Sequence, residues 1–128
     1  MEDFLYKGVE ILIAEDNEIN YELLEALIDR IGIQHIWAKN GIEAIEVLEK
    51  NKNISLILMD INMPEMDGIT ATRIIREKEI KTPIIFQTAY ASDENHKECF
   101  RVGGNGFLSK PLNVDILNSL LKKYLIKD

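Results

Sequence analysis

Short apolar runs alternate along the chain with segments in which apolar residues recur every three or four positions. The runs cover residues 9–14, 33–38, 56–59, 84–88 and 107–108. Their length and their β-branched content favour buried strands, whereas the segments between them have the period of amphipathic helices. Five strands that alternate with five helices predict an α/β fold, a doubly wound parallel sheet covered by helices on both faces.

Polar residues mark where the predicted helices begin and end. Asn17 and Asn113 are predicted N-caps, and Gly32 is predicted to end the first helix. The apolar positions predicted to face the core are Ile19, Leu23, Leu24, Leu27, Ile28 and Ile31 in the first helix, Ile42, Ile45 and Leu48 in the second, and Leu117, Leu120, Leu121 and Tyr124 in the last.

The third apolar run ends abruptly in a carboxylate, Asp60, and a turn signal that contains Pro64 and Asp67-Gly68 follows it. In an open α/β sheet, the carboxyl edge of the strands is where ligands bind. Asp also often caps turns, so this stretch alone leaves both a functional and a purely structural interpretation of Asp60.

Composition narrows the class of protein. The length of 128 residues predicts one domain that fills positions 1–128. A net charge of -7 without a basic cluster argues against nucleic-acid binding by this chain alone. The single cysteine excludes an internal disulfide and a cysteine metal cluster. Because no apolar run reaches membrane-spanning length and the acidic N-terminus lacks signal-peptide features, we expect no membrane insertion and a cytoplasmic location.

Five chemically active residues follow the predicted strands. Glu15 and Asp16 follow the first, Asp60 the third, Thr88 the fourth and Lys110 the fifth. The carboxyl ends of parallel strands share one edge, so these side chains are expected to converge. Crowded carboxylates need a cation, and Mg²⁺ prefers such oxygen ligands. A carboxylate nucleophile, a metal, an ammonium and a hydroxyl are the groups that phosphoryl transfer onto a carboxylate requires.

With these residues in place, the chain resembles the receiver domains of two-component response regulators. The matching motifs are residues 11–17 (ILIAEDN), 59–68 (MDINMPEMDG), 88–89 (TA) and 107–111 (FLSKP). The resemblance covers nearly the whole chain and implies a flavodoxin-like sheet of strand order 2-1-3-4-5. Among the departures from the family pattern, Gln87 stands where the fourth strand is usually apolar, and Gly104 stands before the fifth strand where Ala is common.

The resemblance also implies a role for each site residue. Asp60 is the phosphoacceptor. Glu15, Asp16, Asp60 and the backbone carbonyl of Asn62 hold Mg²⁺ (or Mn²⁺). Thr88 and Lys110 contact the phosphoryl oxygens, Ala89 leaves them room, and the peptide bond before Pro111 is cis.

Two further roles concern the response to phosphorylation. The resemblance implies that Thr88 moves toward the phosphoryl group and that the aromatic ring of Phe107 then turns inward. The family often has Tyr at position 107, and Phe lacks its hydroxyl, so we expect a switch made by packing. Asn62 and Tyr90 lie two residues after Asp60 and Thr88, where side chains influence the access of water, and a bulky Tyr90 predicts a long phosphoryl lifetime.

The partners implied are a histidine kinase or a histidine phosphotransfer domain. The opening of the chain, residues 15–20 (EDNEIN), is more like receivers fused to hybrid sensor kinases, whose first helix docks the phosphotransfer domain. A phosphorylation-dependent dimer through helix 4, strand 5 and helix 5 is a further expectation. We expect a single receiver domain without an output domain in this chain, and we interpret His35 and His96 as surface or filler residues.

The leading hypothesis is thus a phosphoacceptor switch that catalyses its own phosphorylation and hydrolysis but is not a conventional enzyme. A phosphorylation-independent pseudo-receiver is an alternative, although intact Asp60, Thr88 and Lys110 argue against it. An aspartyl-nucleophile phosphatase would need a second acid where this chain has Asn62. A flavodoxin would need a phosphate-binding loop where it has Glu15 and Asp16.

Overall fold

A computed structural model of the chain describes residues 6–89, 93–110 and 112–126. Its strands are β1 (Glu10–Ala14), β2 (Gln34–Ala38), β3 (Ile54–Asp60), β4 (Ile84–Thr88) and β5 (Gly106–Ser109). Its helices are α1 (Glu18–Ile31), α2 (Gly41–Lys50), α3 (Gly68–Glu77), α4 (Asp93–Arg101) and α5 (Val114–Leu125). The alternation of strand and helix predicted from the sequence is confirmed, and β3 begins two residues earlier than the apolar run suggested.

The five strands form one parallel sheet in the order β2-β1-β3-β4-β5, as expected. Register pairs Asp60 of β3 with Gln87 of β4, and Thr88 of β4 with Ser109 of β5. The order reverses direction beside β1, which leaves a crevice at the carboxyl ends of β1 and β3, the usual ligand position in such sheets.

Side chains on the two faces of the sheet enter two separate hydrophobic clusters. Leu12, Ile57 and Phe86 lie in the cluster that packs against α2 and α3. Ile13, Leu58 and Ile85 lie in the cluster that packs against α1 and α5. These six residues are fully buried because both faces of a parallel sheet are covered by helices.

The predicted helix ends are confirmed. Asn17 Oδ1 accepts a hydrogen bond from the amide of Asn20 (3.0 Å), and Asn113 Oδ1 accepts one from the amide of Ile116 (3.1 Å). Gly32 ends α1 with φ of 93°, a left-handed conformation that favours glycine.

The predicted inward face of α1 is wrong in part. Ile19 is 70% exposed and Leu23 is 60% exposed, while Tyr21, Leu24 and Ile28 are buried. The helix therefore contacts the sheet through a face that is rotated away from Ile19 and Leu23. Ile42 of α2 is also exposed (43%), because that helix packs through its small residues Gly41 and Ala44 together with Ile45 and Leu48.

No helix in the described ranges is both long enough and apolar enough to cross a membrane.

Candidate functional site

The sequence-predicted residues converge at the carboxyl edge of the sheet. Glu15 directly follows β1, Asp60 and Thr88 end β3 and β4, and Lys110 directly follows β5. Glu15, Asp60 and Thr88 are buried, although acidic residues are rarely buried without a partner. Asp16 is exposed at the mouth of the same cluster.

Lys110 joins two of the carboxylates. Its Nζ atom lies 3.3 Å from Glu15 Oε1 and 3.3 Å from Asp60 Oδ2. Its backbone amide donates to the carbonyl of Thr88 (2.8 Å), which fixes the start of the side chain against the end of β4. One ammonium thus partly neutralises two buried acids.

Three acids share this pocket. Glu15, Asp16 and Asp60 each offer a carboxylate oxygen, and the three atoms lie within 4.8 Å of one another. The pKa of Glu15 is raised to about 7, chiefly by burial and then by its hydrogen bond with Asp60 and by the charge of Asp60. Near neutral pH, Glu15 is therefore protonated in about half of the molecules, and a divalent cation would displace that proton. An all-oxygen ligand set of this size fits Mg²⁺.

The turn after β3 fixes the position of Asp60. The amide of Asn62 donates to Asp60 Oδ1 (3.3 Å), and the amide of Gly68 donates to the carbonyl of Ile61 (2.9 Å). A Cβ atom at Gly68 would collide with the backbone carbonyl of Asp60. Because Gly68 has none, the first turn of α3 lies directly against the end of β3.

A residue that sequence reasoning missed supports Glu15. The indole of Trp37, the chain's single tryptophan, donates from Nε1 to the backbone carbonyl of Glu15 (2.7 Å). Tyr21 stacks flat on this indole, with ring centroids 4.0 Å apart. The amide of Glu15 also donates to the carbonyl of Ala38 (2.9 Å). The lone tryptophan at the end of β2 was the available signal.

The predicted switch residues occupy two places. Thr88 is buried at the end of β4, and Ala89, the next residue, is exposed. The half-buried ring of Phe107 stacks on His96 of α4 (centroids 4.0 Å apart) and meets the edge of Phe100 (5.3 Å). Phe107 is therefore packed against α4 in this structure, and its inward rotation stays a prediction.

Two predicted site residues, Tyr90 and Pro111, lie outside the described residues. The proposed effect of Tyr90 on phosphoryl lifetime and the cis peptide before Pro111 stay predictions.

The two histidines lie away from the strand-end acid cluster, as expected, and each has contacts of its own. His96 packs on Phe107, and His35 lies in a polar cluster on the other side of the molecule. His35 Nε2 is 3.1 Å from Asp29 Oδ1, and its Nδ1 is 3.2 Å from the hydroxyl of Tyr21, which also donates to Glu25 (3.2 Å). Sequence periodicity missed this cluster because His35 belongs to β2 and the acids belong to α1.

Comparison with known proteins shows what this arrangement resembles. The family model described as the response regulator receiver domain matches residues 11–122. The osmosensing histidine protein kinase SLN1 of Saccharomyces cerevisiae is 39% identical over 123 residues, which are 91% of this chain and 10% of the kinase. The chain thus spans about a tenth of the length of this relative.

Two examples illustrate the solved structures that share this fold. One is the receiver domain of the sensor histidine kinase PA1611 from Pseudomonas aeruginosa, with a magnesium ion coordinated in its active-site cleft (TM-score 0.85, 35% identity, covering 92% of this chain and 98% of that one). The other is the receiver domain of the Saccharomyces cerevisiae response regulator Ssk1, crystallised with the histidine phosphotransfer protein Ypd1 (TM-score 0.85, 29% identity, covering 91% and 88%).

Proposed function

Because this chain belongs to the response regulator receiver family of two-component signalling, we propose that it accepts a phosphoryl group on Asp60 from a phosphohistidine. A carboxylate oxygen of Asp60 attacks phosphorus, the bond from phosphorus to the histidine nitrogen breaks, and the released imidazole takes up a proton. The single observation that carries this proposal is the buried carboxylate of Asp60 held 3.3 Å from the Lys110 ammonium, beside two further acids.

The acid cluster supports a proposed metal role. Glu15, Asp16, Asp60 and the carbonyl of Asn62 would hold Mg²⁺ or Mn²⁺. When bound, the ion neutralises charge on the oxygens of the group being transferred. Glu15 must lose its proton to become a ligand, and its pKa of about 7 puts that step at neutral pH. The receiver of PA1611, which is similar to this chain, has magnesium in its cleft.

The remaining site residues have positioning roles in this proposal. Lys110 would shift part of its interaction from Glu15 to a phosphoryl oxygen, because a point positive charge suits phosphate. The Thr88 hydroxyl would donate to a second oxygen, and the methyl side chain of Ala89 would leave that approach open. The movement of Thr88 would free space into which Phe107 turns, away from His96.

We infer that the chain acts on its own aspartyl phosphate and does not turn over an external substrate. A phosphatase that uses an aspartyl nucleophile would have a second acid two residues after the first, and Asn62 stands there. The pseudo-receiver alternative would not require a buried, lysine-paired Asp60, which is costly to maintain without a use.

A histidine phosphotransfer domain, or the matching domain of a histidine kinase, is the proposed partner. Ile19 and Leu23 expose apolar side chains on α1 next to the mouth of the site. Exposed aliphatic residues beside a reactive centre are typical of a protein-docking surface. The Ssk1 receiver, which is similar to this chain, was crystallised with a phosphotransfer protein.

A phosphorylation-dependent dimer through α4, β5 and α5 also stays a prediction. Phe100 of α4 is 53% exposed on this face and touches Phe107, so a movement of Phe107 would change the surface offered to a second copy. Sedimentation of the protein before and after phosphorylation measures this directly.

The test of the proposed function is intact-protein mass spectrometry after incubation with Mg²⁺ and acetyl phosphate. We expect a mass gain of one phosphoryl group, and we expect Asp60→Asn to abolish it. Asp115→Asn is the matched control, because it removes an exposed carboxylate of α5. An unmodified wild-type protein, or a gain that persists in Asp60→Asn, would exclude Asp60 as the phosphoacceptor.

A further inference from the structure

A small cavity lies beside the acid cluster, between α1, β4 and the segment after β5. Its volume is about 120 Å³, slightly smaller than an engineered cavity of ~150 Å³ that holds benzene. The residues that line it are Asn20, Leu23, Leu24, Gln87, Lys110 and Leu112. Three of the six are leucines, so half of the lining residues suit contact with an apolar group.

One wall residue has an unmet hydrogen-bonding requirement. Gln87 is only 3% exposed, and its amide nitrogen, Nε2, has no hydrogen-bond partner among the described residues. A buried donor without an acceptor costs free energy, because it gave up water and received nothing in return. The terminal amide torsion of Gln is broad, so this group can turn toward the cavity at little cost.

The charges around the cavity decide what kind of acceptor suits Gln87. Gln87 is the register partner of Asp60, and alternation along the strands places both side chains on the face shared by Leu58 and Ile85. Two acids, Glu15 and Asp60, already hold the ammonium of Lys110. Because Lys110 is already paired with Asp60, a carboxylate ligand would be repelled by Asp60, whereas an uncharged carbonyl oxygen would not.

We propose that this cavity is a binding site for a small uncharged molecule with a carbonyl oxygen on a short aliphatic body. Gln87 Nε2 donates to the carbonyl oxygen, and Leu23, Leu24 and Leu112 contact the aliphatic part. The gain comes from satisfying a buried donor and from removing apolar surface from water. Since Asn20 and Leu23 also border the proposed docking surface, an occupied cavity would control access of the phosphotransfer partner, a consequence that rests on the proposed function.

The experiment is a titration of ¹⁵N-labelled protein with butyramide in Mg²⁺-free buffer, followed by the side-chain amide resonances of Gln87. These report the proposed hydrogen bond directly and need no phosphorylation, so a failure of the phosphoacceptor role would leave the result unaffected. We expect saturable shifts of Gln87 with a dissociation constant of roughly millimolar order, because so few ligand atoms are available. Butyrate is expected to bind more weakly than butyramide, because the carboxylate of Asp60 repels it.

Variants distinguish the proposed hydrogen bond of Gln87 from non-specific hydrophobic binding. Gln87→Met keeps the length of the side chain without its amide and is expected to weaken butyramide binding about tenfold. Gln87→Leu is a second variant of the same kind, and a well-dispersed spectrum confirms that either one folds. Asn118→Leu, which removes an amide from a neighbouring cavity lined by Leu27 and Val114, is the matched control and should bind normally.

Several results would overturn the proposal. They are the absence of saturable shifts up to the solubility limit of butyramide, and equal binding of butyramide by Gln87→Met or Gln87→Leu. Tighter binding of butyrate than of butyramide would overturn the assignment of an uncharged ligand.

Discussion

The ammonium of Lys110 lies 3.3 Å from Oδ2 of Asp60 and at the same distance from Oε1 of Glu15. One cation therefore interacts with both the candidate nucleophile and a candidate metal ligand. A change in the charge of one acid therefore changes the strength of the interaction between Lys110 and the other acid.

Lys110→Met removes the cation and keeps most of the side-chain volume. Loss of a charge-assisted contact of about 1.5–3 kcal/mol predicts a fall of roughly 10–100-fold in the rate of phosphorylation by acetyl phosphate. Intact-protein mass spectrometry over time measures the rate. Lys122→Met, an exposed change on α5, is the control and should leave the rate unchanged. An unaltered rate in Lys110→Met would show that the ammonium does not assist transfer.

The raised pKa of Glu15 predicts that stability depends on pH. Its value is about 7 in the folded protein against an ordinary 4.5, so the folded state binds the proton more tightly. In the absence of metal, protonation of Glu15 should therefore stabilise the folded protein fully below pH 4.5. This contribution to the free energy of unfolding should be lost as the pH rises to about 7. Urea denaturation across this range measures the effect.

Glu15→Gln should flatten that part of the pH profile, since the amide does not titrate. A profile identical to that of the wild type would remove Glu15 as its cause.

The proton on Glu15 also predicts that the affinity for Mg²⁺ depends on pH. The affinity should rise over the pH range in which the stability of the metal-free protein falls. Mg²⁺ needs a deprotonated Glu15, so affinity should rise with pH up to about 7 and then level off. The fluorescence of Trp37 provides the measurement, because its indole is hydrogen-bonded to the backbone of Glu15. Affinity that stays flat between pH 5 and about 7 would contradict the involvement of this proton.

Ile19→Ser tests the docking surface of α1. Ile19 is 70% exposed, and burial of such a side chain in an interface contributes about 1.5–3 kcal/mol. We expect phosphotransfer from a phosphorylated histidine phosphotransfer domain to slow by about tenfold or more, while phosphorylation by acetyl phosphate continues at its normal rate.

Ile42→Ser, on α2, is the matched control, because Ile42 is an exposed isoleucine on a different helix (43%). Equal slowing in both variants would argue against α1 as the docking surface.

Gly68→Ala should both destabilise the protein and displace the backbone of Asp60 in the candidate site. The added Cβ would meet the backbone carbonyl of Asp60, and forced contacts of this kind typically cost about 1–3 kcal/mol. Urea denaturation measures the loss. Gly106→Ala is the comparison and should cost less, because its added Cβ would meet side-chain ends, Ile85 Cδ1 at 3.2 Å and the Tyr124 hydroxyl at 3.8 Å, and no backbone atom.

Much of the fold was predictable because its signals are local. The apolar runs and the caps at Asn17 and Asn113 depend on residues close in sequence, and the structure confirms both. The strand-end residues could be named in advance because a parallel sheet places every carboxyl end on one edge. Helix orientation was harder: Ile19 and Leu23 have helical spacing, but only packing on the sheet decides which side of α1 is buried.

The sequence by itself determined the order of the elements and the residues that the strand ends carry: Glu15, Asp60, Thr88 and Lys110. Only the tertiary structure decided how they interact. The sharing of Lys110, the raised pKa of Glu15 and the support of Glu15 by Trp37 join residues between 22 and 95 positions apart. Such contacts depend on distances across the sheet and on burial from water, and neither quantity is encoded in the local periodicity of the chain.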